Sequence, residues 1–219
     1  MKYILAPSIL SADFKNLGKE LETIKESGAE WVHVDVMDGL FVPSISFGMP
    51  VIKSIRPATD CVFDVHLMIE EPIRYIKEFK ESGADYLTVH YEACKDVKET
   101  LVQIREAGMK AGLSIKPKTD PAVLEGLLEY CDMVLLMSVE PGFGGQKYIE
   151  TSTERAKTIR KMIDASGLDV DLEIDGGINL SNVDMVMDAG VNIIVAGSAV
   201  FKNTAENTKA FMEIIGRRN

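Results

Sequence analysis

Five times along the chain a small or polar residue, a glycine and an apolar residue close one periodic segment and open a β-branched run. The copies are Ser27-Gly28-Ala29, Ser82-Gly83-Ala84, Ala107-Gly108-Met109, Ser166-Gly167-Leu168 and Ala189-Gly190-Val191. Glycine takes the left-handed C′ conformation that ends a helix without a Cβ penalty. The segments before these glycines carry helical spacing: Leu17, Leu21 and Ile24; Ile73, Ile76 and Phe79; Leu101, Ile104 and Ala107; Ala156, Ile159 and Ile163. The strand-length runs are Tyr3–Ile9, Trp31–Met37, Cys61–Met68, Tyr86–His90, Lys110–Ile115, Met133–Ser138, Asp171–Asp175 and Ile193–Ala196. Alternating helix and strand predicts parallel strands joined by crossover helices. Eight such units in 219 residues predict a single-domain (β/α)8 barrel over residues 1–219, of the TIM type. An open dinucleotide-binding sheet would need Gly-x-Gly-x-x-Gly after the first strand, and Pro7-Ser8-Ile9-Leu10-Ser11 stands there instead.

Barrel chemistry belongs at the C-terminal ends of strands. Side chains alternate along a strand, so His33, Asp35 and Met37 share one face, opposite Val32, Val34 and Val36. The apolar set suits helices, and the polar set then points inward. Asp64, His66 and Met68 repeat the pattern on the third run, and Asp175 tips the seventh. Buried imidazoles and carboxylates need partners or a cation. His33, Asp35, His66 and Asp175 form a mixed nitrogen and oxygen set suited to one divalent ion, Zn, Fe, Mn or Co. His90 and Asp64 read as hydrogen-bonded structural residues.

Glu140-Pro141-Gly142-Phe143-Gly144-Gly145-Gln146, Asp175-Gly176-Gly177 and Ala196-Gly197-Ser198-Ala199 follow the sixth, seventh and eighth runs. These are neighbours in a barrel, and their amides together suit a phosphate.

Composition narrows the partners. A net charge of −10 argues against nucleic acid. No apolar run approaches membrane-spanning length, and Pro7 interrupts the amino-terminal stretch too early for a signal peptide. Cys61, Cys94 and Cys131 are too dispersed for a zinc motif, and an odd number cannot fully pair. Reduced thiols in a cytoplasmic protein are expected.

The whole chain, in order, resembles the ribulose-phosphate 3-epimerase family. The resemblance is carried by Ala6-Pro7-Ser8-Ile9-Leu10-Ser11-Ala12-Asp13-Phe14, His33-Val34-Asp35-Val36-Met37-Asp38-Gly39, Phe41-Val42-Pro43 and His66-Leu67-Met68. It continues through Met137-Ser138-Val139-Glu140-Pro141-Gly142-Phe143-Gly144-Gly145-Gln146, Glu173-Ile174-Asp175-Gly176-Gly177 and Gly197-Ser198. It implies a metal-dependent epimerase that interconverts D-ribulose 5-phosphate and D-xylulose 5-phosphate. In that reading His33, Asp35, His66 and Asp175 hold the metal, and Asp35 and Asp175 are also the acid/base pair. Ser8 and His66 touch the ketose phosphate; Gly142, Phe143, Gly144, Gly145, Gly176, Gly177, Gly197 and Ser198 surround its phosphate end. Met37, Met68 and Met137 line the reacting centre, and a homo-oligomer is expected.

Two positions depart from the family pattern, Ser44 and Lys116, each where an asparagine is usual. The loop carrying Lys116 is expected to overhang the site. The competing readings are an epimerase of the same family acting on D-allulose 6-phosphate, a lyase or decarboxylase on a related barrel, and a non-catalytic sugar-phosphate binder. The lyase relatives carry Asp-x-Lys-x-x-Asp, and Met37 occupies the lysine's place here.

Overall fold

Each of the five capping glycines takes positive φ, from +68° at Gly167 to +103° at Gly28, as the helix-stop reading requires. In the computed structural model, which describes residues 1–219, the strands are β1 (Ile4–Pro7), β2 (Trp31–Met37), β3 (Val62–Met68), β4 (Tyr86–His90), β5 (Lys110–Ile115), β6 (Met133–Met137), β7 (Asp171–Asp175) and β8 (Ile193–Ala196), and the five glycines precede β2, β4, β5, β7 and β8. All neighbours pair in parallel, in the order β1-β8-β7-β6-β5-β4-β3-β2. A parallel bridge between Ser8 and His33 brings the two ends of that order together. The chain is a (β/α)8 barrel.

The helices are α1 (Leu17–Glu26), α2 (Met49–Ile55), α3 (Ile76–Glu81), α4 (Val97–Glu106), α5 (Ser152–Ser166), α6 (Val183–Asp188), α7 (Ser198–Phe201) and α8 (Thr204–Gly216). Their apolar stripes meet the outward faces of the strands in a core of 49 buried residues that runs from Leu5 to Ile215. Val32, Val34 and Val36 belong to this outer layer, so His33, Asp35 and Met37 point inward as alternation requires. Trp31 and Tyr86 meet with ring centroids 4.6 Å apart and pack with Ala6, Met133, Ile193 and Val195 to fill the lower barrel.

Two sequence expectations are corrected. The crossover from β5 to β6 carries two short 3-10 turns, Pro121–Leu124 and Leu128–Tyr130, and no α-helix. Pro117, Pro121 and Gly126 leave too few uninterrupted residues there for a helix to nucleate. The first strand also stops at Pro7: Ser8 caps a 3-10 turn over Ile9–Ser11, its side chain accepting from the Leu10 amide. That turn swings Ser8 into the barrel mouth.

Candidate active site

The register of β2 on β3 decides what meets inside. His33 lies opposite Asp64, Asp35 opposite His66, and Met37 opposite Met68. All six are buried. Each polar residue therefore has a polar neighbour across the strand pair, while the methionines form the layer above.

His33 donates from Nδ1 to Asp64 Oδ2 at 2.5 Å. Its Nε2 lies 3.3 Å from Asp35 Oδ1 and 3.4 Å from His66 Nδ1. His66 Nδ1 lies 3.1 Å from Asp35 Oδ1. Asp35 Oδ2 accepts from Ser8 Oγ at 2.6 Å. Asp175 completes the group: one ligand atom from each of His33, Asp35, His66 and Asp175 lies within 4.8 Å of every other.

Burial opposes the charge on Asp35, yet the charge and hydrogen bonds of His33 and His66 hold its carboxyl far below the usual carboxylate range. Burial likewise opposes protonation of His33, but Asp64 and Asp35 raise its pKa well above that of a free imidazole. Asp175 is driven the other way. Burial, then repulsion from Asp35, push its carboxyl up to about 6. Two carboxylates on one site thus differ in proton affinity because only Asp35 has imidazole nitrogens within hydrogen-bond reach. Glu173, fully buried on β7 within 3.5 Å of His33 Nδ1, is raised well above the carboxylate range by burial and by Asp64.

The donor set fits a divalent ion. The spacings of 3.1, 3.3 and 3.4 Å among His33, Asp35 and His66 match the ~3.3–3.5 Å separation of nitrogen and oxygen ligands placed tetrahedrally around zinc. The outer nitrogen of His33 is anchored by a carboxylate, which is how metal-binding imidazoles are oriented.

Above this cluster opens a cavity of about 370 Å³, at the small end of ligand sites. Ser8, Asp35, Met37, Met68, Met137, Gly142, Phe143, Gly144, Gly145, Asp175, Gly176, Gly177, Gly197 and Ser198 line it. The structure thus brings together fourteen of the sixteen residues expected at the site. His33 and His66 do not face the cavity; they are fully buried beneath Asp35.

The glycines at the far end are conformationally required. Gly176 and Gly177 have φ of +124° and +69°, and a Cβ at Gly177 would collide with the backbone of Tyr148. Ser138 Oγ accepts nothing in this turn; it donates to the Asp175 and Gly176 carbonyls at 2.9 and 2.7 Å, fixing the turn against β6.

Leu10, Ser11, Gln146, Asn179 and Lys202 also line the cavity and were not among the expected residues. Lys202 had a legible signal. It falls four residues after Ser198, hence on the same side of a helical turn. Gln146 is held by the Glu140 and Phe143 carbonyls, to which its amide donates at 2.7 and 2.9 Å.

Lys116 of the fifth-strand loop does not line this cavity. Its ammonium instead sits 3.8 Å from the centre of the Phe41 ring, where a cation is attracted to the ring face. Ser44 does not line the cavity either.

A (β/α)8 barrel with a carboxylate–imidazole cluster at its mouth and a glycine cradle in the same cavity defines a barrel enzyme with a candidate divalent-metal centre and an anion site. Residues 4–201 match the model of the ribulose-phosphate 3 epimerase family. The chain is 47% identical over 215 residues to the ribulose-phosphate 3-epimerase of Bacillus subtilis, covering 98% of this chain and 99% of that protein. It is 50% identical over 200 residues to the enzyme of that name from Synechocystis, covering 90% and 87%. The chain belongs to the ribulose-phosphate 3-epimerase family. Among solved structures, 3-hexulose-6-phosphate synthase from Salmonella typhimurium superposes with a TM-score of 0.74 at 17% identity, with 100% of both chains covered. KGPDC from Streptococcus mutans superposes with a TM-score of 0.73 at 14% identity, with 99% of both covered. At such identities these two share the fold.

Proposed function

We propose that this protein is a metal-dependent 3-epimerase interconverting D-ribulose 5-phosphate and D-xylulose 5-phosphate. The carrying observation is the pair Asp35 and Asp175. They reach one cavity from β2 and β7 with opposite proton affinities, Asp35 held ionised and Asp175 raised to about 6. Inversion at a carbon beside a ketone needs a proton removed from one face and returned to the other. Two carboxylates of different proton affinity, one on each side of the substrate, would supply that.

In this reading one aspartate takes the C3 proton and the other delivers a proton to the opposite face, with their roles exchanged in the reverse reaction. The intermediate is a 2,3-enediolate. His33, Asp35, His66 and Asp175 would hold one divalent ion, Zn, Fe, Mn or Co, which supplies Lewis-acid stabilisation of the negative charge developing on the sugar oxygens. Ser8 holds Asp35 by its 2.6 Å hydrogen bond, so the carboxylate keeps one orientation as its charge changes. Met37, Met68 and Met137 exclude water above the reacting carbons and offer no acidic proton. The cradle of Gly142, Gly144, Gly145, Gly176, Gly177, Gly197 and Ser198 would take the phosphate through backbone amides.

The reading extends to one domain over residues 1–219, a cytoplasmic setting that keeps Cys61, Cys94 and Cys131 as free thiols, and a homo-oligomer. Leu40 and Ile45, 77% and 78% exposed, offer apolar surface for a second copy. No helix is long and apolar enough to cross a membrane.

NMR in D2O with D-ribulose 5-phosphate and D-allulose 6-phosphate in parallel tests the function. Deuterium entering C3 together with formation of the five-carbon epimer is expected. Exchange confined to the six-carbon ketose would transfer the function to that substrate, and no exchange with either would overturn the epimerase reading.

A further inference from the structure

The glycines of the cradle divide by backbone conformation. Gly142, Gly145, Gly176 and Gly177 have positive φ, so backbone shape accounts for glycine at each. Gly144 and Gly197 do not, and φ at Gly197 is −96°. Space accounts for Gly197: a Cβ there would stand 2.8 Å from Ser11 Oγ. A Cβ on Gly144 would also have Ser11 Oγ as its nearest neighbour, at the ordinary contact distance of 3.6 Å. One hydroxyl therefore lies against both glycines whose own φ does not call for glycine.

Ser11 reaches this point from a third part of the barrel. It ends the 3-10 turn after β1, whereas Gly144 follows β6 and Gly197 follows β8. The two serines of that segment differ in what they hold. Ser8 Oγ is engaged, donating to Asp35 and accepting from the Leu10 amide. The Ser11 amide donates to the Ser8 carbonyl at 3.3 Å, but its hydroxyl has no partner within the protein. The residue is half-buried and lines the cavity. The amides of Gly144 and Gly197 beside it make no bond within the protein either. Unspent donors from three loops thus converge on one end of the cavity, and a hydroxyl can turn its proton toward an acceptor that arrives there. We propose that Ser11 is a phosphate ligand: its hydroxyl donates to the oxyanion that the neighbouring amides take. It adds a neutral, directional donor to the charge of Lys202. The proposal rests on the anion-site reading given above and names a side chain for it.

Inorganic phosphate titrated into the full-length protein, followed by phosphorus NMR, tests this. Ser11→Ala should weaken phosphate binding about 10-fold, the lower end of what a hydrogen bond to a charged acceptor contributes. KM for the phosphorylated ketose should rise by a similar factor. Ser11→Cys keeps the size and is a poor donor, so it should lose as much as Ser11→Ala. Both variants should melt with wild type, because the hydroxyl has no protein partner to lose. The salt dependence of phosphate binding should stay that of wild type, since no charge is removed. Phosphate affinity in Ser11→Ala equal to that of wild type would overturn the proposal and leave the cradle standing. A melting temperature lowered together with affinity would make the serine structural and overturn it as well. The same loss toward non-phosphorylated D-ribulose would place the hydroxyl away from the phosphate. Wild type that binds no phosphate would remove the anion-site reading, and this proposal with it.

Discussion

Asp35 and Asp175 bring carboxylate oxygens within 4.8 Å of each other from strands three places apart around the barrel. Only Asp35 has imidazoles against it, at 3.1 and 3.3 Å. The asymmetry gives one site a carboxylate held ionised and a second whose proton affinity is raised to about 6. Asp35→Asn and Asp175→Asn should each lower turnover by about 10²–10⁴-fold or more, the range of a lost acid or base. Phosphate should still bind, because the cradle would hold it through backbone amides that neither substitution removes. Turnover can be followed by epimer formation and phosphate binding by competition. Full activity in either variant would remove the two-base mechanism.

The cradle depends on backbone shape. Gly177 has φ of +69° and no room for a Cβ against Tyr148. Gly177→Ala should cost about 1–3 kcal/mol of stability and raise KM for the sugar phosphate more than it lowers kcat. Thermal unfolding and steady-state kinetics measure the two effects. An unchanged KM in a folded variant would mean that this turn does not hold the phosphate.

Much of this arrangement could be read along the chain. The capping glycines and the alternation in β2 and β3 are local signals, and local signals fixed both the barrel and the inward placement of His33, Asp35, Asp64 and His66. Crossover β5–β6 was less legible, because its prolines forbid a helix without specifying what replaces it. Glu92 meets His90 and the Lys116 amide at once, a junction between residues 24 apart in the chain that no local pattern shows. Lys116 has its ammonium over the Phe41 ring, a contact between residues 75 positions apart that no local spacing announces.

Lys202 is the one cation among the cavity-lining residues. It is exposed, so its attraction for a phosphate dianion is screened and modest. Lys202→Met should raise KM about 3- to 10-fold with kcat nearly retained, and should weaken the salt dependence of KM. The same variant should leave the affinity for a non-phosphorylated ketose unchanged. An equal effect on both sugars would place the role of Lys202 away from the phosphate.

Metal uptake should be coupled to protons. In the metal-free protein Asp64 and Asp35 raise His33 above the ordinary imidazole value despite its burial, so at neutral pH its Nε2 holds a proton that a cation must displace. Affinity should therefore increase with pH, by up to about tenfold per unit while His33 remains protonated. Below about 6 Asp175 also becomes protonated, and the dependence should steepen. The same groups set the stability of the metal-free fold. Raised values mean that protons favour the native state, so the contribution of Asp175 is complete below its ordinary 3.8 and is lost as pH rises through about 6. The metal-free melting temperature should fall across that interval relative to Asp175→Asn, and bound zinc or manganese should reverse the trend. Calorimetric titration in buffers of different ionisation heat should register about one proton released per ion at neutral pH. A metal affinity independent of pH would show that these four side chains do not hold the ion.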